Sequence, residues 1–117
     1  MKPCIRAAAA AVALAHSLGR LVTKVYEHEA NAYNRISVCV QNGRVSGYDY
    51  ISHCYVSGEL ANVYHHGENS HFTLMPNGSG AYNGFDHDTS SYFSVKVERR
   101  EVHMFDHNED SYFAYSI

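Results

Sequence analysis

Histidines next to an acidic residue or to another histidine are the first groups in this sequence that could do chemistry. The relevant adjacent pairs are His65-His66, Asp86-His87 and Asp106-His107. Imidazole and carboxylate groups bind metal ions and perform acid–base catalysis. Adjacent residues of a β-strand, however, point to opposite faces of the sheet, so such pairs act together poorly if these segments are strands. A metal site would instead need His66 to meet His71 or His87 across strands, and we predict neither metal ligands nor catalytic residues.

The pairs belong to a phrase that occurs five times, which makes it the main signal of architecture. The phrase is an aromatic residue, a polar and usually acidic residue, His or Tyr, four loop-type residues, and a second Tyr or His. The first rings are Tyr26, Tyr48, Tyr64, Phe85 and Phe105. The second rings follow seven positions later, at Tyr33, Tyr55, His71, Tyr92 and Tyr112.

Each copy predicts a β-hairpin whose turn is the four loop-type residues, a common hairpin length. The predicted turns are 29–32, 51–54, 67–70, 88–91 and 108–111, so that the third residue of the phrase faces the eighth. Three links between copies, at Asn42-Gly43, Glu59-Leu60 and Arg99-Arg100, predict further tight turns, and Pro76–Gly80 predicts a longer loop. These links would pair Val40 with Val45, Gly58 with Ala61, Val56 with Val63, and Val97 with Val102.

Alternation along these strands separates two faces. One face is apolar, with the acidic residues Glu27, Asp49, Asp86 and Asp106 at its turn end, where we expect them to accept turn N–H groups. Its apolar members are Val25, Ile36, Val38, Val45, Val63, Phe72, Leu74, Phe93, Val95, Val97, Val102, Met104, Phe113 and Ile117. The opposite face collects the phrase rings and the histidines.

The predicted fold is therefore mainly β, an up-and-down antiparallel meander of five hairpin repeats with about ten short strands in residues 25–117. One apolar face must be covered, so we expect a rolled, barrel-like sheet. Residues 1–24 are predicted to form an alanine-rich helix, from about Ile5 to Thr23, that packs on the sheet or plugs it. A short secretory signal ending near Ala15 is the alternative for this segment.

Composition limits the possible partners. The net charge of −3 argues against nucleic-acid binding, and no apolar run is long enough for a membrane span. The three cysteines form no CxxC pair, which argues against a disulfide framework, and no cofactor motif is present. A cytoplasmic location is favoured, and a secreted or periplasmic one follows if the first 15 residues are a signal.

The ring-bearing face is the predicted functional site. Aromatic rings edged by hydrogen-bonding groups can stack on sugars or contact proteins, so we predict a non-catalytic binding module for a carbohydrate or protein ligand. The predicted binding residues are Tyr26, Tyr48, Tyr50, Tyr64, His66, His71, Phe85, His87, Tyr92, Phe105, His107 and Tyr112. The alternatives are a self-assembling structural protein that forms homo-oligomers or filaments and, less favoured, a metal-binding protein or small hydrolase. The same rings could also serve only to stabilise the hairpins.

Overall fold

One antiparallel sheet and one helix make up the whole chain, as the repeat predicts. The computed structural model describes residues 1–117. The helix α1 spans Pro3–Leu18. The strands are β1 (Val25–Glu27), β2 (Ala32–Asn34), β3 (Ile36–Gln41), β4 (Arg44–Asp49), β5 (Cys54–Glu59), β6 (Asn62–His65), β7 (Ser70–Pro76), β8 (Ala81–Asp86), β9 (Ser91–Glu98), β10 (Glu101–Asp106) and β11 (Ser111–Ser116).

The sheet is nearly closed into a barrel. Its eleven strands follow the order β2-β1-β11-β10-β9-β8-β7-β6-β5-β4-β3, so the two edge strands, β2 and β3, are neighbours in sequence. Only Arg35 separates them, and the seam of the barrel therefore falls at this residue. Val22 exchanges two backbone hydrogen bonds with Val38 of β3, of 2.9 and 2.8 Å, which covers part of that edge.

The count of eleven strands refines the prediction of about ten. The segment expected to be one strand after the first turn is divided at Arg35 into β2, which pairs with β1, and β3, which pairs with β4. The first and second copies are therefore joined across the seam. Closure is completed by β1, which pairs with β11.

The turns of the five phrases begin one residue earlier than predicted. They are residues 28–31, 50–53, 66–69, 87–90 and 107–110, so the first ring, and not the third residue, faces the second ring. The reason is the left-handed backbone of the fourth turn residue, with φ of 51° to 53° at Asn31, His53, Asn69, Ser90 and Asp110. Asn and Asp tolerate that conformation. The shift is two residues in pairing, so the assignment of side chains to faces is preserved.

The links between copies are largely as predicted. Val40 pairs with Val45, and Val97 pairs with Val102. The predicted link at Glu59-Leu60 is wrong by one position, because Glu59 pairs with Asn62 and the turn is Leu60-Ala61. Gly58 consequently pairs with Val63, and Val56 with His65.

The helix fills the barrel. Every residue from Ile5 to Ala15 is buried, so α1 is surrounded on all sides and is not merely laid on one face. Alanine side chains allow the strands to approach closely around the helix axis. The helix ends at Leu18, earlier than the predicted Thr23, because Gly19 adopts φ 63° and donates its N–H to the Ala15 carbonyl. The helix is too short to cross a membrane.

The predicted apolar face forms the interior of the barrel. All its members are buried except Phe113 and Ile117, which are partly buried, and all pack in one core with the helix. The ring-bearing face is consequently the outer surface. The phrase thus places its second residue inside and its rings outside at the same rim of the barrel.

Candidate functional site

Three rings of each phrase form a compact tile on the outer surface. In every copy the first ring lies between the ring two residues later and the second ring of the phrase, with most pairs edge-to-face. Centroid distances within the tiles are 4.5 to 5.1 Å. These distances are typical of favourable aromatic pairs. The five tiles together are named the aromatic belt here.

The tiles also join neighbouring hairpins. The backbone N–H of His66 donates to the Tyr55 carbonyl at 3.0 Å, and the same bond links His87 to His71 and His107 to Tyr92. The imidazoles of three tiles add side-chain bonds to the adjacent strand. These are His66 to Ser57 at 2.9 Å, His87 to Thr73 at 3.1 Å and His28 to Ser116 at 3.0 Å. The belt is therefore held rigidly by its surroundings.

Each tile presents a half-buried ring and two exposed ones. The first rings are half-buried in all five copies, whereas the second and third rings are exposed. The second-ring tyrosines Tyr33, Tyr55, Tyr92 and Tyr112 are 57% to 75% exposed. Two first rings, Tyr26 and Tyr64, donate their hydroxyls to the turn residues Asn31 and Asn69. In these two tiles the exposed rings therefore pack on a first ring that a hydrogen bond to the turn holds in place.

All twelve predicted binding residues lie on this outer surface, but they do not converge on one pocket. Within each copy the structure brings them together; between copies only His71 and His87 approach, with centroids 6.3 Å apart. A shallow, open groove of about 470 Å³ lies beside the fifth tile. Its lining includes Ser94, Lys96, His103, Phe105, His107 and Tyr112.

The acidic residues of the phrase face inward and cap the turns. Asp49 Oδ1 accepts the N–H groups of Ile51 and Ser52 at 3.0 and 3.2 Å. Asp106 accepts those of Asn108 and Glu109 in the same way, and Asp86 accepts that of Asp88. This role is the predicted one. The buried Glu27 makes no such bond, so the rule covers three of the four acids.

Sequence reasoning missed a buried cluster at the same rim. Asp49, Cys54 and His65 each place one potential ligand atom within 4.8 Å of the others. His65 Nε2 lies 3.0 Å from Asp49 Oδ2. Cys54 Sγ lies 3.7 Å from Nδ1 and 3.6 Å from Nε2 of His65. The sequence pointed to His66, His71 and His87 as the histidines that a metal site would need. All three lie on the outer belt, away from this cluster.

The signal that could have revealed the cluster is departure from the repeat. The second phrase position is acidic in four copies and is His65 in the third. The seventh is Ala or Ser in four copies and is Cys54 in the second. Both departures fall in adjacent hairpins, and β5 pairs with β6, which brings them together.

The rim also carries charged and thiol groups from the helix. The Cys4 thiol donates to Glu68 at 3.6 Å, and Lys2 Nζ lies 2.6 Å from the same carboxylate. Burial, and then the charge of Glu68, raises the pKa of Cys4 to about 11. The hydrogen bond to Lys2 lowers the pKa of Glu68. The rim therefore pairs an exposed cation with a carboxylate above the cluster.

Two buried groups of the cluster titrate abnormally. Burial raises the pKa of the Cys54 thiol. Burial also acts to raise the pKa of Asp49, but hydrogen bonds from His65, Ser52 and Ile51 outweigh it and lower that pKa. These shifts favour the ionised form of the Asp49 carboxyl and the protonated form of the Cys54 thiol.

This arrangement resembles a nucleophile, base and acid in composition but does not activate the thiol. His65 Nδ1 accepts the N–H of Glu68 at 3.1 Å, and Nε2 faces the Asp49 carboxylate. Nε2 therefore carries the proton, and no free imidazole lone pair is left to take the proton of Cys54.

No family model, curated protein or solved structure matches this chain.

Proposed function

We propose that this protein is a non-catalytic binding module that takes a carbohydrate ligand on its aromatic belt, centred on the groove beside the fifth tile. The observation that carries the proposal is the exposure of the second rings. Tyr33, Tyr55, Tyr92 and Tyr112 are the most exposed of the tyrosine and phenylalanine residues, and all four lie on the belt.

Hairpin stability alone does not require these rings to be exposed tyrosines. The aromatic contact within a tile stabilises by about 0.2–1 kcal/mol, and it is made by the half-buried first ring with either neighbour. Tyrosine provides a large flat surface and a hydroxyl while losing little conformational entropy, because it has few rotatable bonds. A sugar offers C–H groups to such a ring and hydroxyls to its polar neighbours.

The groove supplies those polar neighbours. Lys96 and His103 line it together with the rings of Phe105, His107 and Tyr112. Its volume of about 470 Å³ falls in the range of small-ligand sites. The other tiles repeat the ring geometry without this groove, so we expect weaker contacts there, which favours a polymeric ligand that touches several tiles.

A glycan array, followed by calorimetric titration of any hit, tests the proposal. We expect Tyr112→Ala to weaken binding at least tenfold, Tyr55→Ala to weaken it less, and both to weaken a polymer more than a short oligosaccharide. Leu21→Ala and Met75→Ala are matched controls, because these apolar side chains are 55% and 53% exposed but lie off the belt. An array without hits, or equal losses in belt and control variants, would contradict the proposal.

Self-association through the belt is the competing function. Edge-to-edge assembly has little support, because β2 has only three residues and β3 is partly covered by Val22. Light scattering after size exclusion from pH 5 to 8, the range in which histidine changes charge, separates the two functions. A monomer throughout favours ligand binding. A pH-dependent oligomer that Tyr112→Ala abolishes favours self-association.

A further inference from the structure

The cluster of Asp49, Cys54 and His65 has the composition of a site for a borderline-soft metal ion. Thiolate, imidazole and carboxylate are the three ligand types of protein zinc sites. With bonds of about 2.3 Å to sulfur and 2.0–2.1 Å to nitrogen, two ligands of a tetrahedral zinc ion lie about 3.5 Å apart. Cys54 Sγ is 3.7 Å from His65 Nδ1, close to that spacing, and 3.6 Å from Nε2, so the Cys54 side chain must turn toward Nδ1 for both ligands to meet one ion.

The state of the imidazole decides which nitrogen faces the ion. His65 Nε2 carries the proton shared with Asp49 Oδ2, so Nδ1 holds the lone pair. A carboxylate on the far nitrogen of a ligating histidine is the usual support of a zinc site. Asp49 is itself fixed, because its other oxygen accepts the turn N–H groups of Ile51 and Ser52.

Space at the cluster depends on Gly67. A Cβ at this position would lie 2.8 Å from Cys54 Sγ and 3.2 Å from His65 Cε1. No other copy has glycine at the fourth phrase position, where Glu29, Ile51, Asp88 and Asn108 stand. Three exceptions to the repeat on its inward-facing and turn positions, Cys54, His65 and Gly67, therefore meet at one point.

Further donors and an approach from solvent lie at the same rim. Glu68 follows in the turn, and its carboxylate is 3.6 Å from the Cys4 thiol. A cavity of about 300 Å³ is lined by Cys4 and Asp49, together with apolar residues of the helix and the seam. This cavity meets the cluster at Asp49.

We propose that Cys54 and His65 bind a zinc-class metal ion, with Asp49 as the positioning residue behind the imidazole and Cys4 and Glu68 as the nearest further donors. On binding, the Cys54 thiol loses its proton to solvent, and the ion takes the Nδ1 lone pair in place of the Glu68 N–H. The site is independent of the aromatic belt.

Titration of the full-length, metal-free protein with Co²⁺ tests the site, because a thiolate ligand to Co²⁺ produces a charge-transfer absorption band. We expect one saturable band that one equivalent of Zn²⁺ displaces and Mg²⁺ does not. Cys54→Ser should abolish it, and this variant should fold, since serine occupies the same phrase position at Ser70, Ser91 and Ser111. Cys39→Ser is the matched control, because Cys39 is a half-buried thiol on β3, away from the cluster.

Two positioning variants refine the test. Asp49→Asn should weaken Zn²⁺ affinity by about 10–100-fold, the range for loss of an outer partner of a ligating histidine. Asp86→Asn changes a turn-capping acid of another copy and should leave the affinity unchanged. His65→Gln should remove saturable binding.

X-ray absorption at the zinc edge tests ligation in the unaltered protein and so does not depend on a variant that folds. We expect sulfur and nitrogen scatterers together in the first shell. Absence of a saturable cobalt band, a band that persists in Cys54→Ser, or a zinc shell of only nitrogen and oxygen would overturn the proposal. The last result would assign the ion to the outer histidines.

Discussion

The far edge of the Phe93 ring fills the space that a side chain at Gly84 would need. The two residues are direct cross-strand partners on β9 and β8, and the ring also packs edge-to-face on Phe72, 6.4 Å between centroids. A glycine opposite an aromatic ring lets a curved sheet close over its core, and the Phe93 ring packs directly over the buried backbone of Gly84.

Gly84→Ala should therefore lower the free energy of unfolding by about 1–3 kcal/mol, as overpacking of a core does. Urea denaturation measures the loss as a lower midpoint. Adding Phe93→Leu to Gly84→Ala should recover part of it, because the smaller side chain vacates the space. Strictly additive losses in a double-mutant cycle would show that the two positions do not compete.

The lumen of the barrel is filled by the alanine side chains of α1, and a second prediction concerns this packing. Ala10 is fully buried between the helix backbone and the surrounding strands. Leu and Ala have similar helix propensities, so Ala10→Leu changes packing far more than helix formation. We expect a loss of about 1–3 kcal/mol or more, or failure of the barrel to close, measured by thermal and urea unfolding. The exposed Leu21→Ala should change stability by less than about 0.5 kcal/mol.

Two buried tyrosines should respond differently to removal of the hydroxyl. The Tyr82 hydroxyl lies 2.6 Å from both His16 Nδ1 and Ser17 Oγ and so ties the end of α1 to β8. The Tyr115 hydroxyl is buried without a hydrogen-bond partner. Tyr82→Phe should cost about 1 kcal/mol of stability at neutral pH, whereas Tyr115→Phe should be neutral or stabilising. Equal losses in urea denaturation would contradict this contrast.

The same tyrosines predict a loss of stability in alkali. Burial raises the pKa of both Tyr82 and Tyr115. A raised pKa means that folding favours the neutral phenol. The stabilisation is therefore complete below the unfolded value of about pH 10 and is lost as the pH rises from there toward the folded value. Tyr115→Phe should shift the alkaline unfolding midpoint, followed by circular dichroism, to higher pH. An unchanged midpoint would show that another group controls alkaline unfolding.

The turn-capping acids are not equivalent, because only one faces a buried guanidinium. Arg6 Nη1 lies 3.6 Å from Asp106 Oδ2, and both side chains are buried. Asp106→Ala leaves this cation uncompensated as well as two turn N–H groups, so we expect a loss of about 3–5 kcal/mol. Asp86→Ala should cost about 1–3 kcal/mol, because the buried Met1 ammonium is 4.0 Å from Asp86 but keeps its closer partner Asp106 at 3.0 Å, and the remaining loss is hydrogen bonds within the turn. A larger loss for Asp86→Ala in urea denaturation would contradict this order.

The repeat could predict the two faces because side-chain alternation survives a register shift of two residues. The predicted interior from Val25 to Ile117 is correct even though the turns begin at His28 and its equivalents. The turn position itself depended on the left-handed conformation of residues such as His53 and Ser90, whose side chains give little local signal. The seam at Arg35 and the filling of the lumen by α1 depend on closure of the whole sheet, which no local pattern encodes.

The cluster at Cys54 escaped prediction for a different reason. His53, the sequence neighbour of Cys54, is an exposed residue of the turn and does not belong to the cluster. The pairing of β5 with β6 brings His65 beside Cys54. Only a comparison of the positions at which the five copies differ could have predicted this contact.

The pairing of Tyr26 with Ser116 has a consequence for biosynthesis. The first hairpin cannot find its partner strand until β11 has left the ribosome, and α1 is made before any of the walls that surround it. The helix therefore stays unburied until the strands have been synthesised, while the hairpins from β3 onward can form one after another beside it. Enclosure of the helix and closure of the seam are expected to be one late, slow step, during which the apolar inner faces of the hairpins are open to chaperones.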